Sequence, residues 1–266
     1  MFKIMFFIAI ASFSFAARAQ DSYVAGDFSA LRQTDQAEVV EVIDPLTVLL
    51  SDGQIIRLTG IYIPEEISDQ TGIWAVTARD VVRDLLAGQR VAVYQTPKKD
   101  WGRSNRMGHQ LAHLQRMSDH AWAQGVLVSL GLAIAQPSKR NPEMAEQLYT
   151  LEDAARTEKL GIWSDTAMHV LTPDETDNRI GDFAIVEGRV ESVTLKQNRI
   201  YINFGKDWRS DFTVTIAPED KRDFSKAGID PLSWGGKTVR VRGFLQRYNG
   251  PMIEVTHPAF FEFVEN

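Results

Sequence analysis

Cysteine is absent from this 266-residue chain. That absence excludes disulfide staples, thiol nucleophiles, cysteine-ligated zinc and lipid anchoring at a cysteine together. A chain of this length can build apolar cores without them. A surplus of positive charge is also lacking: 29 Lys and Arg stand against 35 Asp and Glu, a formal net charge of −6. Proteins that hold duplex DNA by neutralising phosphates are usually basic, so composition speaks against tight duplex binding and leaves only a local basic cleft open. Long apolar runs are lacking save one. Lys3 precedes Ile4 to Phe15, a run broken only by small Ala and Ser, and Ala17-Arg18-Ala19 follows with the small residues a signal peptidase accepts. The run falls short of the ~20 apolar residues of a spanning helix. Residues 1–19 therefore read as a cleaved signal peptide. The expected product is an exported protein, periplasmic or secreted, with no integral membrane segment after processing.

What is present is a β pattern interrupted by helices. Residues 20–36 are polar and aperiodic and read as a leader. From Glu38 the chain turns β-branched: Val39 to Ile43, Thr47 to Leu50, then a hairpin turn at Ser51-Asp52-Gly53-Gln54 and a third strand to Ile61. Trp74, Ala78, Val81 and Leu85 fall at helical spacing, with Gly88 placed to end the helix. Arg90 to Tyr94 and Gln110 to Gln115 are short strands. Trp122 to Leu132 and Pro142 to Thr157 read as helices, the second with Asn141 as its cap. Five strands with three helices over residues 37–164 predict a small closed barrel of the OB type. Residues 165–180 are rich in Asp, Thr and Pro and read as a linker. Over 181–266 Ile200, Ile202 and Phe204, then Phe212, Val214 and Ile216, then Val239, Val241 and Gly243 alternate with polar residues, and a hairpin passes through Asn249-Gly250-Pro251. The fold class predicted is mainly β with α (α+β): an OB barrel with three helices, followed by a second OB-like β-barrel.

Short motifs in series carry a resemblance. Val42-Ile43-Asp44-Pro45-Leu46-Thr47-Val48 looks like V-x-D-G-D-T-V. The run Asp52 to Glu65 looks like D-G-x-x-x-R-L-x-G-I-D-x-P-E, and Asn105 to Ala112 is similar to D-R-Y-G-R-x-L-A. Trp122 to Ala133 echoes W-x-x-x-L-v-x-x-G-l-A with one residue more before the Leu, and Glu152 to Trp163 echoes the closing E-x-x-A-R-x-x-x-x-G-I-W. In this order the motifs resemble the staphylococcal nuclease (thermonuclease) family. That resemblance implies a calcium-dependent phosphodiesterase in which two aspartates hold Ca²⁺, a glutamate activates water and two arginines contact the phosphate. Calcium asks for several hard, anionic oxygens, and the metal and guanidiniums offset charge growing on the phosphoryl group.

Carried over residue by residue, the resemblance breaks at the metal. The two metal aspartates fall on Leu46 and Tyr62, while Asp44 remains nearby. The first arginine is Arg57 and the general base is Glu65; the second arginine falls on His109, or on Arg103 in an alternative register. With both ligand positions lacking carboxylates, no calcium cofactor is expected. Arg57 and Glu65 have two readings, a surviving phosphate site or an ion pair bracing the barrel mouth. His109, His113 and His120 invite a metal reading, but strand spacing does not give tetrahedral geometry, and satisfied or exposed histidines are the simpler account.

In the second unit Tyr201, Trp208 and Tyr248 with Arg240, Arg242 and Arg247 resemble a platform for single strands, or else are the surface of a barrel serving only to pack. Acidic and basic side chains nearly balance there. Three functions follow. One is a degenerate nuclease-like module binding single-stranded nucleic acid or another polyanion, or serving as a structural partner. The second is an active phosphodiesterase using Arg57, Glu65 and Arg103 with another metal or none. The third is a pure interaction scaffold.

Overall fold

A computed structural model describes residues 24–64, 71–164, 168–207 and 209–264. The signal-peptide segment, Glu65 and Trp208 lie outside the described residues. The chain divides into two compact units, one ending at Met168 and one beginning at His169.

The first unit is a closed barrel of β1 (Arg32–Asp44), β2 (Thr47–Leu50), β3 (Ile55–Leu58), β5 (Arg90–Gln95) and β6 (Gln110–Arg116), in the order β1-β2-β3-β6-β5. A short pair, β4 (Ile61–Tyr62) with β7 (Ile134–Ala135), stands beside it. Closure rests on β1, which pairs with β5 along its first half and β2 along its second, its register shifting between Val39 and Glu41 and again between Val42 and Asp44. Such irregularities bend and twist a strand, and a barrel needs that bend to meet its own edge. Three helices cover the barrel: α1 (Thr71–Leu86), α2 (Ala123–Ser129) and α3 (Ala145–Thr157). Their apolar stripes, Ala78, Val81, Val82 and Leu85 on α1 and Leu148 and Ala155 on α3, are buried.

Two expectations are corrected here. The polar stretch up to residue 36 is no loose leader in its described part. Residues 32–36 pair with β5, and Phe28 is buried, stacked on Tyr94 at 4.2 Å and edge-on to Trp122. The alternation that marks a strand is missing because most side chains of 32–36 are exposed. Asn141 does not cap α3. The helix begins at Ala145 with Met144 at its N-cap, and the Asn141 amide instead donates to the carbonyl of Gly102 at 3.0 Å.

The second unit has its own core. Its strands are β8 (Phe183–Arg189), β9 (Ser192–Lys196), β10 (Arg199–Asn203), β11 (Thr213–Ile216), β12 (Thr238–Phe244), β13 (Gln246–Tyr248), β14 (Gly250–Glu254) and β15 (Phe261–Phe263), with one short helix, α4 (Lys221–Lys226). They do not join in a single closed ladder. They divide into a five-stranded sheet, β13-β14-β11-β10-β9, and a three-stranded sheet, β15-β12-β8. Ile200, Ile202, Val214 and Ile253 from the larger sheet and Val186, Val239, Val241 and Phe261 from the smaller meet in one buried cluster with Phe212, Phe224 and Trp234. The stretch read as a linker is built into this unit from residue 169 onward. Leu171 is buried, its amide donates to Ile185 and its carbonyl accepts from Glu187, and it bridges Val186.

Among the described residues, no helix is long and apolar enough to cross a membrane.

Candidate active site

The barrel mouth is set by strand register. Asp44 ends β1 opposite Thr47 on β2, and Thr47 lies opposite Arg57 on β3. Arg57 reaches back along this row: its Nη1 donates to Thr47 Oγ1 at 2.9 Å and lies 3.3 Å from Asp44 Oδ2. Asp44 also closes its own turn, Oδ1 accepting from the Leu46 amide at 2.7 Å. The Arg57 and Asp44 side chains are 40% and 43% exposed, and a pair that wet contributes about 0–1 kcal/mol. Thr47, the shortest partner of Arg57, carried no role in the sequence reading; its signal was its place beside Leu46 in the first motif.

Leu46, at the first metal-ligand position, is 8% exposed and part of the barrel core. Its carbonyl accepts from Leu58 at 2.7 Å. Tyr62, at the second, is half-buried on β4 and pairs with Ile134 of β7. A neutral phenol and an isobutyl group supply no anionic oxygen.

Arg103 and His109 share the loop between β5 and β6. The Arg103 guanidinium donates to two backbone carbonyls, from Nε to Thr96 at 2.8 Å and from Nη2 to Pro97 at 3.2 Å. It is a staple for that loop, and its carbonyl accepts from the Leu111 amide. His109 is half-exposed, with its main chain held by Asn105, whose Oδ1 accepts from the His109 amide at 3.0 Å. Leu111 is the register partner of Arg57, and His109 lies in the loop just before β6 begins at Gln110. The fold thus gathers Asp44, Thr47 and Arg57, leaves His109 in the loop that leads into β6, and turns the Arg103 guanidinium to another use. The same loop carries Lys98, Lys99 and Arg106, all exposed and without a carboxylate partner among the described residues.

The other histidines separate. His113 is buried, and its Nδ1 accepts from the Trp122 indole at 3.2 Å. Burial pushes its pKa down to about 3. His120 sits exposed in a turn with φ 63°. Among the described residues no three His, Asp or Glu side chains are grouped to hold a metal ion.

The aromatic and arginine platform expected in the second unit is split between its sheets. Tyr201 and Tyr248 belong to the five-stranded sheet. Arg240 and Arg242 belong to β12 of the smaller one, where Arg240 bonds Glu187 at 2.8 Å and the fully buried Arg242 bonds Glu262. Arg247 meets Asp177 at 2.9 Å. Arg240 and Arg242 thus lie on the other sheet in ion pairs of their own, and Arg247, beside Tyr248 on β13, is held by Asp177.

No curated protein matches the chain. The sequence profile of the staphylococcal nuclease homologue family matches residues 55–165, a span holding β3, α1, β5, β6, α2 and α3 together with Arg57 and His109. The closed barrel, its three helices and this match lead to one conclusion: the chain carries a domain of the staphylococcal nuclease homologue family.

Proposed function

We propose that the chain is an exported nuclease-fold protein that has given up calcium-dependent hydrolysis and uses its first unit to bind single-stranded nucleic acid or a similar polyanion. The observation that carries this reading is the filling of the first metal position by Leu46, whose side chain belongs to the core. Calcium takes ~6–8 oxygen ligands. The described residues at the mouth offer one carboxylate, Asp44, already the acceptor for Arg57 and for the Leu46 amide. These residues do not fit calcium. Binding is supported by the loop between β5 and β6, whose exposed Lys98, Lys99 and Arg106 suit phosphates. Export is supported by residues 1–19, and an intact mass beginning at Gln20 is the result that carries it.

The test is a thermal scan and a digestion assay with denatured DNA, each with and without Ca²⁺. The wild-type protein is expected to cleave nothing in a calcium-dependent way and to show no calcium-induced rise in Tm. A ligand bound only to the folded state at a hundred times Kd would add about 2.7 kcal/mol, a shift a scan reads easily. Leu46→Asp combined with Tyr62→Asp is expected to create a calcium response, with activity returning only in part, since an imidazole cannot make the bidentate contact of a guanidinium. Calcium-dependent digestion by the unmodified protein would refute the reading. A natively folded double variant with no calcium response would mean that these positions were wrongly matched to the metal site.

A further inference from the structure

The outward face of the five-stranded sheet in the second unit has no part in the site above. Strand pairing arranges its side chains in cross-strand rows: Ser192, Asn203, Thr213 and Met252 in one, Thr194, Tyr201, Thr215 and Glu254 in the next. The alternate residues of the same strands, such as Ile200, Ile202 and Val214, point into the core. Ser192, Thr194, Tyr201, Asn203, Thr213 and Met252 of these rows line a cleft of about 450 Å³ together with Tyr248, Lys196 and Lys206. That volume lies within the ~300–1,000 Å³ of small-ligand clefts.

The floor is already ordered. Asn203 Nδ2 donates to Ser192 Oγ at 3.2 Å, and Thr213 Oγ1 donates to Asn203 Oδ1 at 3.3 Å. These bonds fix the amide's orientation and leave spare lone pairs on its oxygen and the hydroxyls. The carboxylate of Glu254 pairs with Arg199 at 3.3 Å, and Lys196 and Lys206 bring two cations to the lining of the cleft. Tyr248 is 65% exposed, a position in which a ring gains nothing from the core. Yet its hairpin is pinned. Asn249 takes φ 63° at the turn, and Gly250 lies so close to the neighbouring loop that a Cβ there would meet the Ser210 carbonyl at 2.5 Å. The backbone that carries Tyr248 is thus fixed beside the cleft.

We propose that this face binds single-stranded nucleic acid, with bases stacked on Tyr201 and Tyr248 and backbone phosphates against Lys196 and Lys206. Aromatic faces accept any unpaired base, and lysines follow a backbone without reading sequence. A duplex keeps its bases stacked inside and gives the tyrosines nothing to receive. A neutral oligosaccharide would use the rings and leave the lysines idle, and an acidic polysaccharide would do the reverse. The face stands on its own chemistry, whatever the barrel mouth binds.

The test is fluorescence anisotropy of the full-length protein with a labelled oligothymidylate, using heparin, a neutral maltooligosaccharide and a duplex as competitors. Tyr201→Ala and Tyr248→Ala are each expected to weaken binding about tenfold, while Tyr201→Phe and Tyr248→Phe, which keep the ring, bind close to wild type. Lys206→Ala should lower the slope of log affinity against log salt by roughly 0.7, the value for one phosphate on a single strand. A natively folded double tyrosine-to-alanine variant that binds like wild type overturns the proposal, as does displacement by the maltooligosaccharide. Lys98→Ala with Lys99→Ala separates the two units. If that variant alone loses binding, the proposal falls and the reading of the barrel mouth stands. If only the tyrosine variants lose it, this face stands and the mouth is not the binding site.

Discussion

Trp122 and His113 form a buried pair in which the imidazole serves as an acceptor and stays neutral. An unfolded histidine titrates near ~6.5, whereas burial holds the folded one at about 3. Between those values the unfolded chain binds a proton that the folded chain refuses, so stability falls as the pH drops through this window, by up to about 1.4 kcal/mol per pH unit. Urea unfolding should therefore show a loss of about 2 kcal/mol between roughly pH 7 and pH 5, and His113→Gln, which keeps an acceptor for the indole, should flatten that slope. Parallel curves for the two proteins would contradict it. Glu175 does not confuse the window. The backbone and hydroxyl of Thr172, with His169, hold it at about 2 against an ordinary 4.5, so its contribution is lost only at lower pH. At this scale the sequence was readable where a motif fixed the residue and blind where the partner was a loop atom. Arg57 and Leu46 could be placed from their motifs. Nothing in the sequence tells which carbonyls a guanidinium meets, and Arg103 meets those of Thr96 and Pro97.

The closing motif from Glu152 to Trp163 is explained by how α3 meets its neighbours. Glu152 is fully buried, and its carboxylate accepts from the Ala135 amide on β7 at 2.7 Å. Arg156, one turn on, lies 4.0 Å from that carboxylate and stands over the Trp163 ring at 5.9 Å. Gly131 and Gly161 take φ of 66° and 52° and face each other so closely that a Cβ on either would strike the other segment's backbone. The Ile162 amide donates to the Gly131 carbonyl there at 2.9 Å. These motif residues hold helices and β7 together. Glu152→Ala should accordingly cost about 3 kcal/mol, because it strands a buried amide. That is a fall in Tm on the order of 10 °C for a unit of this size, while Glu152→Gln, which keeps an acceptor, should cost clearly less. An unchanged melting temperature for Glu152→Ala would remove this account. Elements of this kind were legible where periodicity spoke, as in α1 and α3. The first half of β1 was not, because its exposed side chains leave no alternation to read, and only its partner β5 makes it a strand.

For the whole molecule, the sequence pointed to two bodies joined over 165–180, and the units divide inside that stretch, at Met168 and His169. The stretch 165–180 has the Asp, Thr and Pro content of a linker, and a single leucine within it produces no periodic signal. Yet Leu171 is 4% exposed in the core of the second unit, with both of its backbone bonds made to β8. Pro173 also lies against that strand, near enough to Gly188 that a Cβ there would meet its ring at 2.7 Å. The second unit should therefore fold alone only if these residues go with it. A fragment beginning at His169 is expected to melt cooperatively. One beginning at Asp177 loses the burial of Leu171, worth about 1.5–3 kcal/mol, and the hydrogen bonds to Ile185 and Glu187 as well. Against a total stability of roughly 5–15 kcal/mol for a small domain, that loss should appear as a melting temperature lower by many degrees, or as a broadened transition. Thermal denaturation of the two fragments side by side decides the matter. Equal stability would show that 169–176 is a tether after all. A non-cooperative transition in the longer fragment would show that the second unit cannot fold without the first.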